Sequence, residues 1–164
     1  MFDDLADLYQ EVILEHSQRP RHGHKLECFD ATARGDNPMC GDRVQLFLRH
    51  APDGRIADVG FEARGCAISV ASADLMAEVV RGRTDAEARQ ISSAFRELAR
   101  TGATPEGIGA APGPAAAAAP VATALETLQP LAGVHTYPSR VKCATLPWHA
   151  LIAALDGGKE ASSE

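Results

Sequence analysis

Two runs of alternating apolar residues, one on each side of Pro52-Asp53-Gly54, constrain this chain more than any other feature. Val44, Leu46 and Leu48 alternate before the turn, and Val59 and Phe61 do so within Ala57 to Ala63 after it. A period of two marks a strand with one buried face. An Asp-Gly turn between two such runs predicts an antiparallel hairpin. Phe29, Ala31 and Ala33 alternate upstream and supply a third strand.

Helical spacing surrounds these strands. Asp3 to Gln18 carries Leu5, Leu8, Tyr9, Val12 and Ile13 on one stripe, and Arg19-Pro20-Arg21-His22-Gly23 ends it. From Cys66, residues Ile68, Ser72, Leu75, Met76 and Val79 keep helical spacing up to Gly82. Thr84-Asp85-Ala86-Glu87 is a capping box that opens a helix through Ile91, Phe95 and Leu98 to about Gly102. Val121, Leu125 and Leu128 predict another, closed by Pro130 and Gly133. A last helix runs through Leu151, Ile152 and Leu155. Proline is tolerated in a first helical turn and costly deeper in, so Pro147 places the start of this helix near Ala144 to Leu146. Cys143 then sits at its N-terminal mouth. Strands first and helices after predict an α+β fold, a small antiparallel three-stranded sheet packed with about five to six helices.

The chain has 164 residues, 45% hydrophobic and 23% charged, which suits one globular domain. That domain is expected over 1–156. It carries a mobile Ala/Pro/Gly-rich insert at about 101–120 and a disordered polar tail over 157–164. Net charge is −6 and there is no Lys/Arg run, which argues against a nucleic-acid partner. No apolar run approaches the roughly 20 residues that span a bilayer. Met1-Phe2-Asp3-Asp4 lacks the basic start of a signal peptide. The chain reads as cytoplasmic, where thiols stay reduced. Its four cysteines are then ligands, nucleophiles or core residues in preference to disulfides.

The densest chemical signal is Asn37-Pro38-Met39-Cys40-Gly41-Asp42. Pro38 and Gly41 hold a turn that can aim Cys40 and Asp42 at one point. Cys66 and Cys143 each fall at a predicted helix N-terminus, where unpaired N–H groups and the helix dipole favour a thiolate. Three thiolates and a carboxylate suit tetrahedral zinc, and sulfur ligands also suit iron–sulfur clusters. Structural zinc sites use paired C-x₂₋₄-C spacing, which these separated cysteines lack. A carboxylate–metal bond exchanges more readily than a thiolate–metal bond, so Asp42 makes a labile corner. By count and spacing alone, isolated buried thiols are the stronger reading. Cys28, in an apparent strand without polar company, is assigned to packing.

These segments resemble the U-type iron–sulfur cluster assembly scaffold family, the group that includes IscU, SufU and the NifU N-terminal domain. The matching residues are Leu8-Tyr9-Gln10-Glu11-Val12-Ile13, Pro20-Arg21, Asn37 to Asp42, Gly65-Cys66-Ala67-Ile68-Ser69 with Ala71-Ser72, and Arg140-Val141-Lys142-Cys143. Lys142 stands where the scaffold branch has His. His135-Thr136-Tyr137-Pro138 replaces that branch's Leu-Pro-Pro-Val, and the insert before Cys143 is longer. All three features look like the SufU branch. The resemblance implies the U-type scaffold fold, similar to SufE, with Zn²⁺ held by Cys40, Asp42, Cys66 and Cys143. It also implies Cys40 as the persulfide acceptor of a zinc-dependent sulfurtransferase. Its partner would be a PLP-dependent cysteine desulfurase of the SufS type, with scaffold proteins of the Suf system downstream. In the resembling proteins a desulfurase side chain replaces this cysteine on zinc and frees it. The alternative is a scaffold that assembles and transfers a [2Fe–2S] cluster on the same ligands. Ala63 and Pro147 depart from the family pattern without touching a ligand.

Arg140 and Lys142 flank Cys143, either as surface charge or to steer a persulfide or hold a partner's carboxylate. His16, His22 and His24 read as a solvated loop, with a stray metal site as the sharper alternative. Trp148 and Tyr137 read as core or partner contacts.

Overall fold

The computed structural model describes residues 2–37, 41–102, 123–158 and 160–162. The side chains of residues 1–9, and with them Leu5, Leu8 and Tyr9 of the predicted stripe, lie outside that description. So do Cys40 and, from residue 103 on, the predicted Ala/Pro/Gly-rich insert. Helix α1 (Phe2–Gln18) precedes strands β1 (Ala31–Asn37), β2 (Asp42–His50) and β3 (Ile56–Arg64). Helices α2 (Ala67–Val80) and α3 (Asp85–Thr101) follow. Residues 123–128 are helical and lead into a 3₁₀ segment, Gln129–Thr136. Helix α4 (Pro138–Leu155) and a short strand β4 (Glu160–Ser162) complete the order. No helix among the described residues is long and apolar enough to cross a membrane.

The predicted antiparallel β1–β2–β3 arrangement forms, in the register that the period of two demands. Leu46 faces Ala33 on one side and Phe61 on the other, and Leu48 faces Ala31 and Val59. This row is the buried face of the sheet. Helix α4 lies against it so closely that a Cβ on Gly35 would stand 3.1 Å from Leu146 Cδ1. The exposed edge of β3 is covered by the chain after α1, since the Phe61 N–H donates to the His22 carbonyl at 3.0 Å.

Two sequence expectations are corrected here. Helix α4 begins at Pro138, six residues before the predicted start at Ala144, because Pro138 itself occupies the first helical turn where its missing N–H costs nothing. Pro147 is carried inside the helix, where it cannot donate to the Cys143 carbonyl four residues back. Packing outweighs that loss: Trp148 is fully buried, stacks on Phe95 at 4.7 Å between ring centroids, and donates Nε1–H to Ser72 Oγ at 3.1 Å. Second, Glu160–Ser162 lie within the tail expected to be disordered, yet they pair in parallel with Arg34–Asp36. The pairing satisfies backbone groups on an edge of β1 that would otherwise face solvent, so the sheet has the order β3-β2-β1-β4.

The Thr84 half of the predicted capping box forms, with Thr84 Oγ1 accepting from the Glu87 N–H at 3.2 Å. Next to it His50 bridges Asp30 (Nδ1 to Oδ1, 2.7 Å) and Asp85 (Nε2 to Oδ1, 2.8 Å). Burial lowers the His50 pKa, but hydrogen bonds to the two carboxylates, together with their charges, outweigh burial and hold it above its ordinary value. Burial likewise works to raise the Asp30 pKa, and His50 outweighs it to leave Asp30 below its ordinary value. The His50 contribution to stability is therefore complete below the unfolded-state value near 6.5 and is lost as pH rises through the raised folded-state value. In urea unfolding, His50→Gln should destabilise most at about pH 5.5 and progressively less as the pH rises above the unfolded-state value near 6.5. A deficit that grows with pH would contradict the bridge.

Candidate metal centre

The period of two that buries Val44, Leu46 and Leu48 also turns Asp42 inward, so the sheet's apolar row ends in a carboxylate that is only 3% exposed. A buried carboxylate needs partners. Asp42 Oδ1 accepts the Cys66 backbone N–H at 3.0 Å, and Oδ2 lies 3.7 Å from Cys66 Sγ. Cys66 is the N-cap residue of α2, as its sequence position predicted, and makes no side-chain cap of its own. The Asp42 carboxylate supplies the negative charge that the helix N-terminus favours.

Gly65 makes this approach possible. Its φ is +148°, and a Cβ there would collide with the Asp42 carboxylate. No sequence signal beyond the Gly-Cys pair marks this role.

Cys143 arrives from α4. It lies in the second helical turn, not at the helix mouth, and it is fully buried. The dipole argument made for it from sequence therefore does not hold, and position on the helix face takes its place. Ser72 of α2, whose Oγ donates to the Ala144 carbonyl at 2.5 Å, ties the two helices together beside Cys143. Ligand atoms of Asp42, Cys66 and Cys143 all lie within 4.8 Å of one another. Zinc with bonds of about 2.0–2.3 Å holds tetrahedral donors roughly 3.3–3.8 Å apart, so these residues fit that ion with small adjustments. Cys40, the fourth predicted ligand, lies outside the described residues.

Arg140 is one turn before Cys143 on the same helical face. Its exposed guanidinium is held above its ordinary pKa by the charge of Cys66 first, then that of Cys143, with hydrogen bonds to both adding to the effect. Lys142 is half-buried. One residue turns an α-helix by about 100°, so Lys142 and Cys143 leave the helix in different directions and Lys142 stands beside the donor set.

Beside Cys66 and Arg140 opens an apolar groove of about 640 Å³ between α1, the start of α2 and the 3₁₀ segment. Exposed Leu14 and Tyr137 line it. Of the aromatic pair singled out in the sequence, Tyr137 is thus a surface residue and Trp148 a core residue. Cys28 is exposed and belongs to no strand, against its assignment to packing, because the chain pairs with β2 only from Ala31 on.

The fold and donor set together define a class. Residues 8–144 match the NifU-like N-terminal domain family, and the chain belongs to it. The iron–sulfur cluster assembly scaffold protein IscU of Streptococcus pyogenes is 33% identical over 92% of this chain and 84% of its own length. The zinc-dependent sulfurtransferase SufU of Bacillus subtilis is 33% identical over 94% of this chain and 96% of its own. Among solved structures, a protein described as an iron–sulfur cluster assembly scaffold for the SUF system from Fervidobacterium islandicum superposes with a TM-score of 0.71. It is 30% identical, over 88% of this chain and 94% of its own.

The contact between Gly65 and Asp42 predicts that Gly65→Ala displaces the carboxylate and weakens zinc binding by about tenfold or more, the scale seen when a ligand loses its support. Competition with a chromophoric chelator measures this, and unchanged affinity would contradict the geometry.

Proposed function

We propose that this protein is a zinc-dependent sulfur acceptor that takes persulfide sulfur from a PLP-dependent cysteine desulfurase of the SufS type for iron–sulfur cluster assembly. The observation that carries the reading is the convergence of Asp42, Cys66 and Cys143 on one point. That convergence is joined to a lysine, not a histidine, directly before the last cysteine. The match to the Bacillus subtilis sulfurtransferase along nearly the full length of both chains supports it.

In this reading Cys40, Asp42, Cys66 and Cys143 hold Zn²⁺, which when bound keeps thiols deprotonated while restraining their nucleophilicity. Cys66 and Cys143 are fixed by α2 and α4 and serve as anchors. Asp42 is the exchangeable corner. Cys40, which lies between β1 and β2 in the sequence, is the nucleophile. Its thiolate attacks the terminal sulfur of the desulfurase persulfide. A new bond forms between Cys40 and that sulfur, the sulfur's bond to the desulfurase cysteine breaks, and that cysteine leaves as a thiolate. Arg140 steers the anionic persulfide or meets a carboxylate of the partner in this reading, and Lys142 adds a second positive charge. The chemistry suits the reducing cytoplasm, with other Suf scaffold proteins receiving the sulfur.

The likeness to the Streptococcus pyogenes scaffold supports a second reading, assembly and transfer of a [2Fe–2S] cluster on the same residues. A visible charge-transfer spectrum that survives anaerobic reconstitution, with transfer faster than free iron and sulfide allow, would favour it.

Persulfide trapping separates the two. After mixing with a cysteine desulfurase and cysteine, the label should map to Cys40, and Cys40→Ala should abolish enhancement of desulfurase turnover. Label on Cys66 or Cys143, or enhancement retained in the variant, would overturn the proposed role.

A further inference from the structure

Beyond the cysteine centre, the described residues bring one further set of ligand atoms close enough to share an ion. His16 lies in the last turn of α1, and Asp74 and Glu78 lie one turn apart on α2. Their donor atoms all fall within 4.8 Å of one another. Of the three histidines that read as a solvated loop, His24 is exposed in one, but His16 and His22 are not. His22 is 8% exposed, and its backbone N–H donates to Asp74 Oδ1 at 2.9 Å, while His16 Nδ1 lies 2.5 Å from Asp74 Oδ2.

We propose that His16, Asp74 and Glu78 form a second divalent-cation site, separate from the cysteine centre and selective for a borderline transition ion such as Zn²⁺ over a thiophilic one. The charge balance carries the inference. Asp74 is fully buried, and His16 with the His22 N–H accounts for both of its oxygens. Glu78 then places a second carboxylate beside the first, on the same face of the helix, where like charges repel. Its ion-pair partner is Arg21, at 3.3 Å with a side chain 71% exposed, and such a pair offsets little. With the ring neutral, as a metal ligand must be, two carboxylates against the exposed Arg21 leave the cluster negative. A divalent ion cancels that charge.

The donors fit. One imidazole nitrogen and two carboxylate oxygens are ligands zinc accepts. Its tetrahedral geometry asks donors to stand roughly 3.3–3.4 Å apart, so His16 and Asp74 separate slightly and Glu78 closes in. An open cleft of about 970 Å³, lined by Glu78, Arg21, His22 and His24, brings solvent to the Glu78 side of the cluster. An ion here would fasten the end of α1 to the helix whose N-cap is Cys66.

Cobalt(II) titration of the full chain tests the site. Two equivalents should bind. The first should give the thiolate-to-cobalt charge-transfer band of the cysteine centre, and the second should raise the thermal midpoint without enlarging that band. Glu78→Gln and, separately, His16→Gln should each weaken the second equivalent by about tenfold or more and leave the first unchanged. Glu78 is partly exposed, so its variant should fold, and an unchanged metal-free melting curve checks that it has. Binding of a single equivalent, or a second one indifferent to both substitutions, would overturn the proposal.

Discussion

The hydrogen bond from the Cys66 backbone N–H to the Asp42 carboxylate is the contact on which the rest of the site depends. It joins the first residue of β2 to the N-cap of α2 and explains why a carboxylate is tolerated at the end of an apolar row. It also requires a glycine immediately before Cys66. Once α2 is set in this way, Ser72 fixes α4 against it through the Ala144 carbonyl, and Cys143 completes the cluster. Each donor is thus held by an element that packs for its own reasons, and the chemistry is placed where the sheet ends and two helices meet.

Much of this was legible in the residues. The alternation of Val44, Leu46 and Leu48 gave the sheet its inner face, and the same period explains Asp42 once its number is counted along the strand. The N-cap position of Cys66 was readable because Gly65 ends one periodicity and Ile68 begins another. Thr84 and Glu87 announced their helix because capping depends on local chemistry alone.

What escaped the sequence reading depended on contacts between distant segments. Pro147 suggested a helix start because proline usually marks one, but the burial of Trp148 against Phe95 and Ser72 outweighs one lost hydrogen bond. The pairing of β4 with β1 leaves no mark in a polar tail. Histidines near the N-terminus looked solvated because their partner, Asp74, lies on another helix 58 residues from His16. Cys28 looked like a packing residue because the strand begins three residues after it.

The proposed zinc centre joins one carboxylate to three thiolates. Zinc K-edge X-ray absorption on the Glu78→Gln chain loaded with one equivalent tests it most directly. The account predicts three sulfur neighbours at about 2.3 Å and one oxygen at about 2.0–2.2 Å, with the oxygen contribution altered by Asp42→Ala. A shell of four sulfurs, or one that does not respond to Asp42→Ala, would contradict it.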